Sequence, residues 1–310
     1  MTKSYKKRLL FAKAESSYKG SASIGGGQGL EVFNLEVTPF SANTLERNVV
    51  SDILGNREVA FGTKRVQINF DLEITTKGTA GQTPLYHDLL RACGMKKTGP
   101  GQTVVYNPQL NQSSNSCRIL YIVDGLRQEI KGCRGSFSIN CKAGEIPYFS
   151  FSFSGVYAEP TDGSTIVPNF PSADGPHVFG KANSSDFEID GTALVLDAFT
   201  LDAGNVIENN ESVGGTDEVR QVDRAPTGSC VIECPTIDEF NLYELLTNTT
   251  DFVTLTLTHG SGAGKQLEFS LPKIDIRNIT YSEINTVAMA NIEFHAMPNT
   301  GDDEFLLTIK

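Results

Sequence analysis

Apolar and polar residues alternate along most of this chain with the period of a β-strand. The clearest run is Val66, Ile68, Phe70, Leu72 and Ile74, with Gln67, Asn69, Asp71 and Glu73 between them. Period two puts the first set on one face and the second on the other. Phe137, Ile139 and Cys141 alternate with Ser138 and Asn140, and Phe149, Phe151 and Phe153 with Ser150, Ser152 and Ser154. Val253, Leu255 and Leu257 alternate with Thr254, Thr256 and Thr258, and Leu267, Phe269 and Leu271 follow. A kink is expected at Pro272, before Ile274 and Ile276, and Ile292 and Phe294 mark a further strand. Strands are also expected at 30–40, 193–200, 230–234 and 304–309.

Two stretches read as short helices. Over 84–93, Leu85, Leu89 and Leu90 face a sheet, Thr83 is the expected N-cap, Pro84 suits the first turn and Gly94 ends the helix. Over 237–247, Thr236 is the expected cap. The order of elements repeats. Asn43-Thr44-Leu45-Glu46-Arg47-Asn48 recurs as Asn205-Val206-Ile207-Glu208-Asn209-Asn210, and a helix and then strands follow each time. The resulting division is an N-terminal arm (1–29), a first β domain (30–158), a linker (159–180) and a second β domain (181–310). The arm ends in Gly25-Gly26-Gly27-Gln28-Gly29, and the linker contains Pro160, Pro168, Pro171 and Pro176. The polar connections 41–63 and 205–223 are long, and long loops in compact domains are usually functional or disordered.

Charge separates the two halves. Residues 1–158 carry 19 Lys+Arg against 12 Asp+Glu, and residues 159–310 carry 7 against 25, balances of +7 and −18 within the total of −11. A net −11 argues against tight nucleic-acid binding, which needs cations for the phosphates. It is compatible with a wall past which DNA slides. The basic start is followed by too short an apolar run for a signal peptide, and no run approaches a membrane span, so folding in a cytoplasm with reduced thiols is expected.

Enzyme chemistry is not indicated. Cys93, Cys117, Cys133, Cys141, Cys230 and Cys234 show no C-x-x-C spacing and read as buried thiols, with Cys230 and Cys234 on one strand face. His87, His177, His259 and His295 have no metal-ligand spacing. Gly260-Ser261-Gly262-Ala263-Gly264-Lys265 reads as a hairpin turn rather than a phosphate loop, because Gln266 follows the lysine. Asp217-Glu218 and Asp302-Asp303-Glu304 read as solvated turns, and sequons such as Asn248-Thr249-Thr250 mean nothing without a secretory route. No catalytic, cofactor-binding or metal residue is expected. What remains is self-association: open sheet edges invite pairing, and closure into a ring removes them. A positive half meeting a negative half attracts, in a manner that salt screens.

Three stretches resemble the tail tube (major tail) proteins of long-tailed, non-contractile bacteriophages. They are Leu9-Leu10-Phe11-Ala12-Lys13-Ala14-Glu15-Ser16-Ser17-Tyr18, Leu45-Glu46-Arg47-Asn48, and Val66 to Ile74 running on to Ala80-Gly81-Gln82-Thr83-Pro84-Leu85-Tyr86-His87-Asp88-Leu89-Leu90-Arg91-Ala92-Cys93-Gly94. The resemblance is specific in the first half; the second half matches as a weaker copy. It implies a mainly β chain of two tandem β-sandwich or barrel domains, each with one short flanking helix, and a non-enzymatic virion protein without cofactors. It further implies homotrimeric, pseudo-hexameric rings stacked into a tube, assembled in the host cytoplasm. The tube would hold the tape measure protein, join tail terminator and distal tail or baseplate proteins, and pass DNA without sequence-specific binding or a membrane. The 41–63 loop would reach an adjacent ring through Asn43, Glu46, Arg47, Asn48, Asp52 and Arg57. Its counterpart offers Asn205, Glu208, Asn209, Asp217 and Glu218. The lumen would be lined either by Gln67, Asn69, Asp71 and Glu73 or by Ser150, Ser152 and Ser154. The alternatives are another virion protein (minor tail or capsid decoration), the tube protein of a phage-like secretion machine, or a β-sandwich ligand-binding module. Against the last stands the absence of Trp and a count of only nine Tyr.

Overall fold

The computed structural model describes residues 3–47, 49–50, 55–56, 58–109, 115–170, 174–215, 217–247 and 252–310. The chain is mainly β. Its first half runs β1 (Arg8–Ala14), β2 (Gly29–Leu30), β3 (Val32–Glu46), β4 (Val59–Glu73), α1 (His87–Ala92), β5 (Met95–Thr98), β6 (Val104–Pro108), β7 (Cys117–Val123), β8 (Leu126–Lys142) and β9 (Tyr148–Val156). The second runs β10 (Thr161–Asp162), β11 (Ser184–Ile189), β12 (Thr192–Ala193), β13 (Leu196–Asp202), β14 (Asn205–Asn210), β15 (Glu218–Arg224), β16 (Thr227–Glu233), α2 (Leu242–Thr247), β17 (Val253–His259), β18 (Leu267–Ile284), β19 (Val287–Ala296) and β20 (Leu306–Ile309).

Pairing follows the alternation. β3, β4, β9 and β8 lie side by side and antiparallel. β13, β16, β19 and β18 do the same in the second half. One long strand in each half also enters a second sheet. The early part of β8 pairs with β7, and β7 with β1; the early part of β18 pairs with β17, and β17 with β11. In β18 the change of partner falls at the register shift beside Pro272, where the lost N–H makes a continuous ladder impossible.

The apolar faces meet between these sheets. Phe149, Phe151 and Phe153 are at most 2% exposed and pack with Phe70 and Phe137 at ring separations of 5.6–6.1 Å. In the second half Phe199 sits between Phe269 and Phe294. Burying each such ring contributes roughly 1.5–3 kcal/mol. Helix α1 covers the first core with Leu89 and Leu90, and Tyr86 lies 4.8 Å from the Phe149 ring.

Several elements depart from the sequence expectations. Among its described residues the connection 41–63 is mainly strand, since β3 and β4 stay paired out to Glu46 and Val59. Three register shifts along that pair break period two, which hid the strand. The acidic connection after Asn205 is likewise a hairpin, β14–β15. Of the arm, Arg8–Ala14 is a sheet strand paired along its whole length with β7. The described residues of 159–180 are anchored rather than free: Asn169 N–H donates to Gly26 O, Asp174 N–H to Thr76 O, and Phe179 is buried. Pro171 and the Asn248 sequon lie outside the described residues.

Both helices begin later than expected. Tyr86 is the N-cap of α1 and makes no side-chain cap bond, while Gly94 follows its end at φ 78°. Thr236 pairs with Glu239 in a separate turn, and the Asn241 side chain accepts the Glu244 N–H at the start of α2. Cys230 is buried in β16, but Cys234 lies past the strand end and is exposed.

Candidate functional site: the polar sheet face and its edges

Opposite the core, the inner sheets present a face of small polar side chains. Gln67 pairs with Ser154, Asn69 with Ser152 and Asp71 with Ser150. The two sets that sequence reading offered as rival surfaces are therefore neighbours on one face, continued at its end by Glu73 beside Tyr148. Register extends it: Asp71, Ser150, Ser138 and Asp202 form one transverse row, and Asn140, Thr200, Ser229 and Glu293 another. Asn34 donates to Asp71 at 2.7 Å, Thr200 and Ser229 hydroxyls lie 2.8 Å apart, and Asn278 donates to Glu293 at 3.3 Å. Two shallow depressions, about 450 and 520 Å³, lie along it. Glu36, Asp71 and Asp202 line the first with carboxylates, and Glu293 and Asp202 line the second together with Arg277. The balance is acidic.

Sequence reading missed the second-half contribution to this face. Thr200, Ser229 and Asn291 sit in strands whose alternation is weak, because Gly228, Ala290 and Cys230 occupy inward positions where larger residues would advertise a core.

The two inner sheets are joined edge to edge. β8 of the first half pairs with β13 of the second, from Lys142 opposite Ala198 to Ser138 opposite Asp202. Eight strands thus run in the order β3, β4, β9, β8, β13, β16, β19, β18. At the ends, β3 and the later part of β18 (275–284) have no partner on their outer sides among the described residues.

The two hairpins differ. β14–β15 folds down over the first half. Asn205 donates to the carbonyls of Cys93 and Gly135 at 2.8 and 3.0 Å, and Arg65 donates to Asn209 Oδ1 at 2.9 Å. The Asp217 carboxylate receives Arg65 and Lys19. Val219 donates its N–H to Tyr18 Oη at 2.7 Å and accepts Arg134 at 2.6 Å. Burial pushes the Tyr18 hydroxyl up to about 12 despite the Arg134 guanidinium 4.7 Å from its ring, and burial lowers Arg134. Glu218 pairs with Arg220, and Glu208 is exposed. The β3–β4 hairpin projects instead. Asn43, Glu46 and Arg47 are exposed, and Asn48, Asp52 and Arg57 lie outside the described residues.

The titratable groups elsewhere are structural. His87 Nδ1 lies 2.8 Å from Tyr106 Oη, and Arg224 holds Asp302 and Glu304. Asp303 accepts the N–H groups of Asn299 and Thr300, which helps keep its carboxyl below the usual range against the opposing effect of desolvation. Among the described residues no group of three or more His, Cys, Asp or Glu could hold a metal ion, and no helix is long and apolar enough to cross a membrane.

The fold is a large antiparallel β architecture with one polar face and two sheet edges unpaired among the described residues. Residues 6–296 match the phage tail tube protein family, and the chain belongs to it. It is a structural component of the phage tail. No curated protein matches the chain.

Proposed function

We propose that this chain closes into rings of three copies, which stack into the tube of a long, non-contractile phage tail. The observation that carries this reading is the β8–β13 junction inside the chain. The strand order β3–β4–β9–β8 is repeated as β13–β16–β19–β18, so the chain reads as two tandem copies of one domain. A junction that joins copy to copy within the chain can also join chain to chain. β18 of one copy then pairs with β3 of the next, satisfying the backbone groups that both edges leave open. By the internal register, Ser282 falls opposite Glu36 and Thr280 opposite Thr38, as Asn140 falls opposite Thr200 and Ser138 opposite Asp202.

Eight strands from each of three copies form a closed barrel. The polar face lines the lumen through Gln67, Asn69, Asp71, Glu73, Ser150, Ser152 and Ser154, together with the second-half residues in register with them. Hydroxyl and amide groups bind DNA weakly, and carboxylates repel its phosphates, so the polymer slides. The same lumen holds the tape measure protein before ejection, and the tube ends meet terminator and distal tail proteins. The 41–63 connection reaches the adjacent ring from its far end, which carries Arg47.

Electron microscopy of the purified protein tests the reading. Stacked rings or tubes of uniform width are expected, with three chains per ring. A stable monomer at high protein concentration overturns the proposal. Six full-length chains per ring overturn the trimer alone.

A further inference from the structure

The β3–β4 ribbon is a two-stranded hairpin with apolar residues in water. Leu45 is 64% exposed, Phe61 55%, Phe40 41% and Val59 41%. A lone two-stranded ribbon is marginal in water, and a cluster of exposed apolar side chains marks an interaction surface. Its counterpart by strand order, β14–β15, is not exposed in this way, because it lies on the neighbouring half. It rests where β8 leaves the inner sheet: Asn205 N–H donates to Ser136 Oγ, its amide to Gly135 O, and Arg134 to Val219 O.

We infer that the stem of the β3–β4 hairpin clasps the second half of the neighbouring chain in the same ring, as β14–β15 clasps the first half of its own chain. This rests on the ring reading above and adds the surface. The half that precedes β13 in the sheet is the first half, and β14–β15 leans back onto it. The half that precedes β3 across a ring junction is the second half of another copy. The corresponding place there is where β18 leaves the inner sheet, around Ile274, which pairs with both β17 and β19.

The chemistry there fits. Phe252 is 37% exposed with Lys273 4.1 Å over its ring, and Arg277 is exposed beside Asp275 at 2.7 Å. In the internal clasp the receiving half supplies cations, Arg65, Arg134 and Lys19, to an acidic hairpin bearing Asp217. Between copies, Lys273 and Arg277 face the ribbon's Glu46, and Phe252 meets its apolar side. The occupant is a second copy of this chain.

Cross-linking in assembled rings tests the contact. Among the described residues Cys234 is the only exposed cysteine, so Cys234→Ser clears the background. With Phe61→Cys and Arg277→Cys added, a short bis-maleimide should give covalent dimers and trimers that stop at three, because the ring closes. A ladder running past the copy number of one ring places the stem against an adjacent ring and overturns the inference. Intact rings without cross-links overturn it while leaving the ring reading standing. If the unmodified protein forms no rings, the ring reading falls and takes the clasp with it. A second variant needs no cross-linker. Leu45→Ser with Phe61→Ser touches no core residue, so the monomer should melt at an unchanged temperature while assembly requires at least tenfold more protein. Assembly at the unmodified concentration refutes the clasp.

Discussion

Arg65 is 4% exposed although β4 alternates cleanly around it. Period two assigned Val66 and Gln67 to their faces, but no local pattern shows that an arginine will be covered by a hairpin 150 residues away. Its partners, Asn209 and Asp217, are legible only once the fold brings them together. Asp217→Ala leaves the guanidinium half-satisfied, and a loss of about 1–3 kcal/mol is expected in a urea titration of the monomer. His259 offers a pH test. It is 4% exposed with Nδ1 3.0 Å from Ser184 Oγ, and desolvation lowers it from 6.5 to about 4. A base whose folded pKa is depressed takes up its proton more readily when unfolded. Stability is therefore full above about pH 6.5 and falls as pH drops towards about 4. The loss should be on the order of 3 kcal/mol, and His259→Gln should flatten the curve over that window.

At the scale of elements, the strands with strong apolar alternation, β4, β8, β9 and β17, were readable from sequence; the spatial order of strands within the sheets was not. The two hairpins were not, because bulges in β3 and β15 interrupt the alternation that reveals a strand. Half of the polar face was visible as Gln67–Glu73 and Ser150–Ser154. That these are adjacent follows from the β4–β9 register, which no sequence of one strand contains. Close packing of β8 on β9 depends on Gly135, where a Cβ would press into the Ser152 carbonyl and the Phe153 ring. Gly135→Ala should cost about 1–3 kcal/mol by forcing the strands apart. A melting temperature within a degree of the parent would show that the pair can yield.

At the scale of the whole molecule, the opposed charges act at identifiable places. The first-half cations Lys19 and Arg65 already meet the second-half Asp217 within one chain. In the proposed ring the balances of +7 and −18 would meet again between chains at each junction. Assembly, followed by light scattering, should weaken as salt rises from low to physiological strength and beyond, since exposed charges are screened within about 8–10 Å. Insensitivity to salt would leave edge pairing and apolar contact as the sole attractions. The central claim is ring closure through the edges of the inner sheet, and a cryo-EM reconstruction of the assembled tube tests it most directly. The account predicts three chains per ring, with β18 of each hydrogen-bonded to β3 of the next and the Ser/Asn face turned to the lumen. Rings whose inner sheets remain separate at chain boundaries, or whose polar face turns outward, would contradict it.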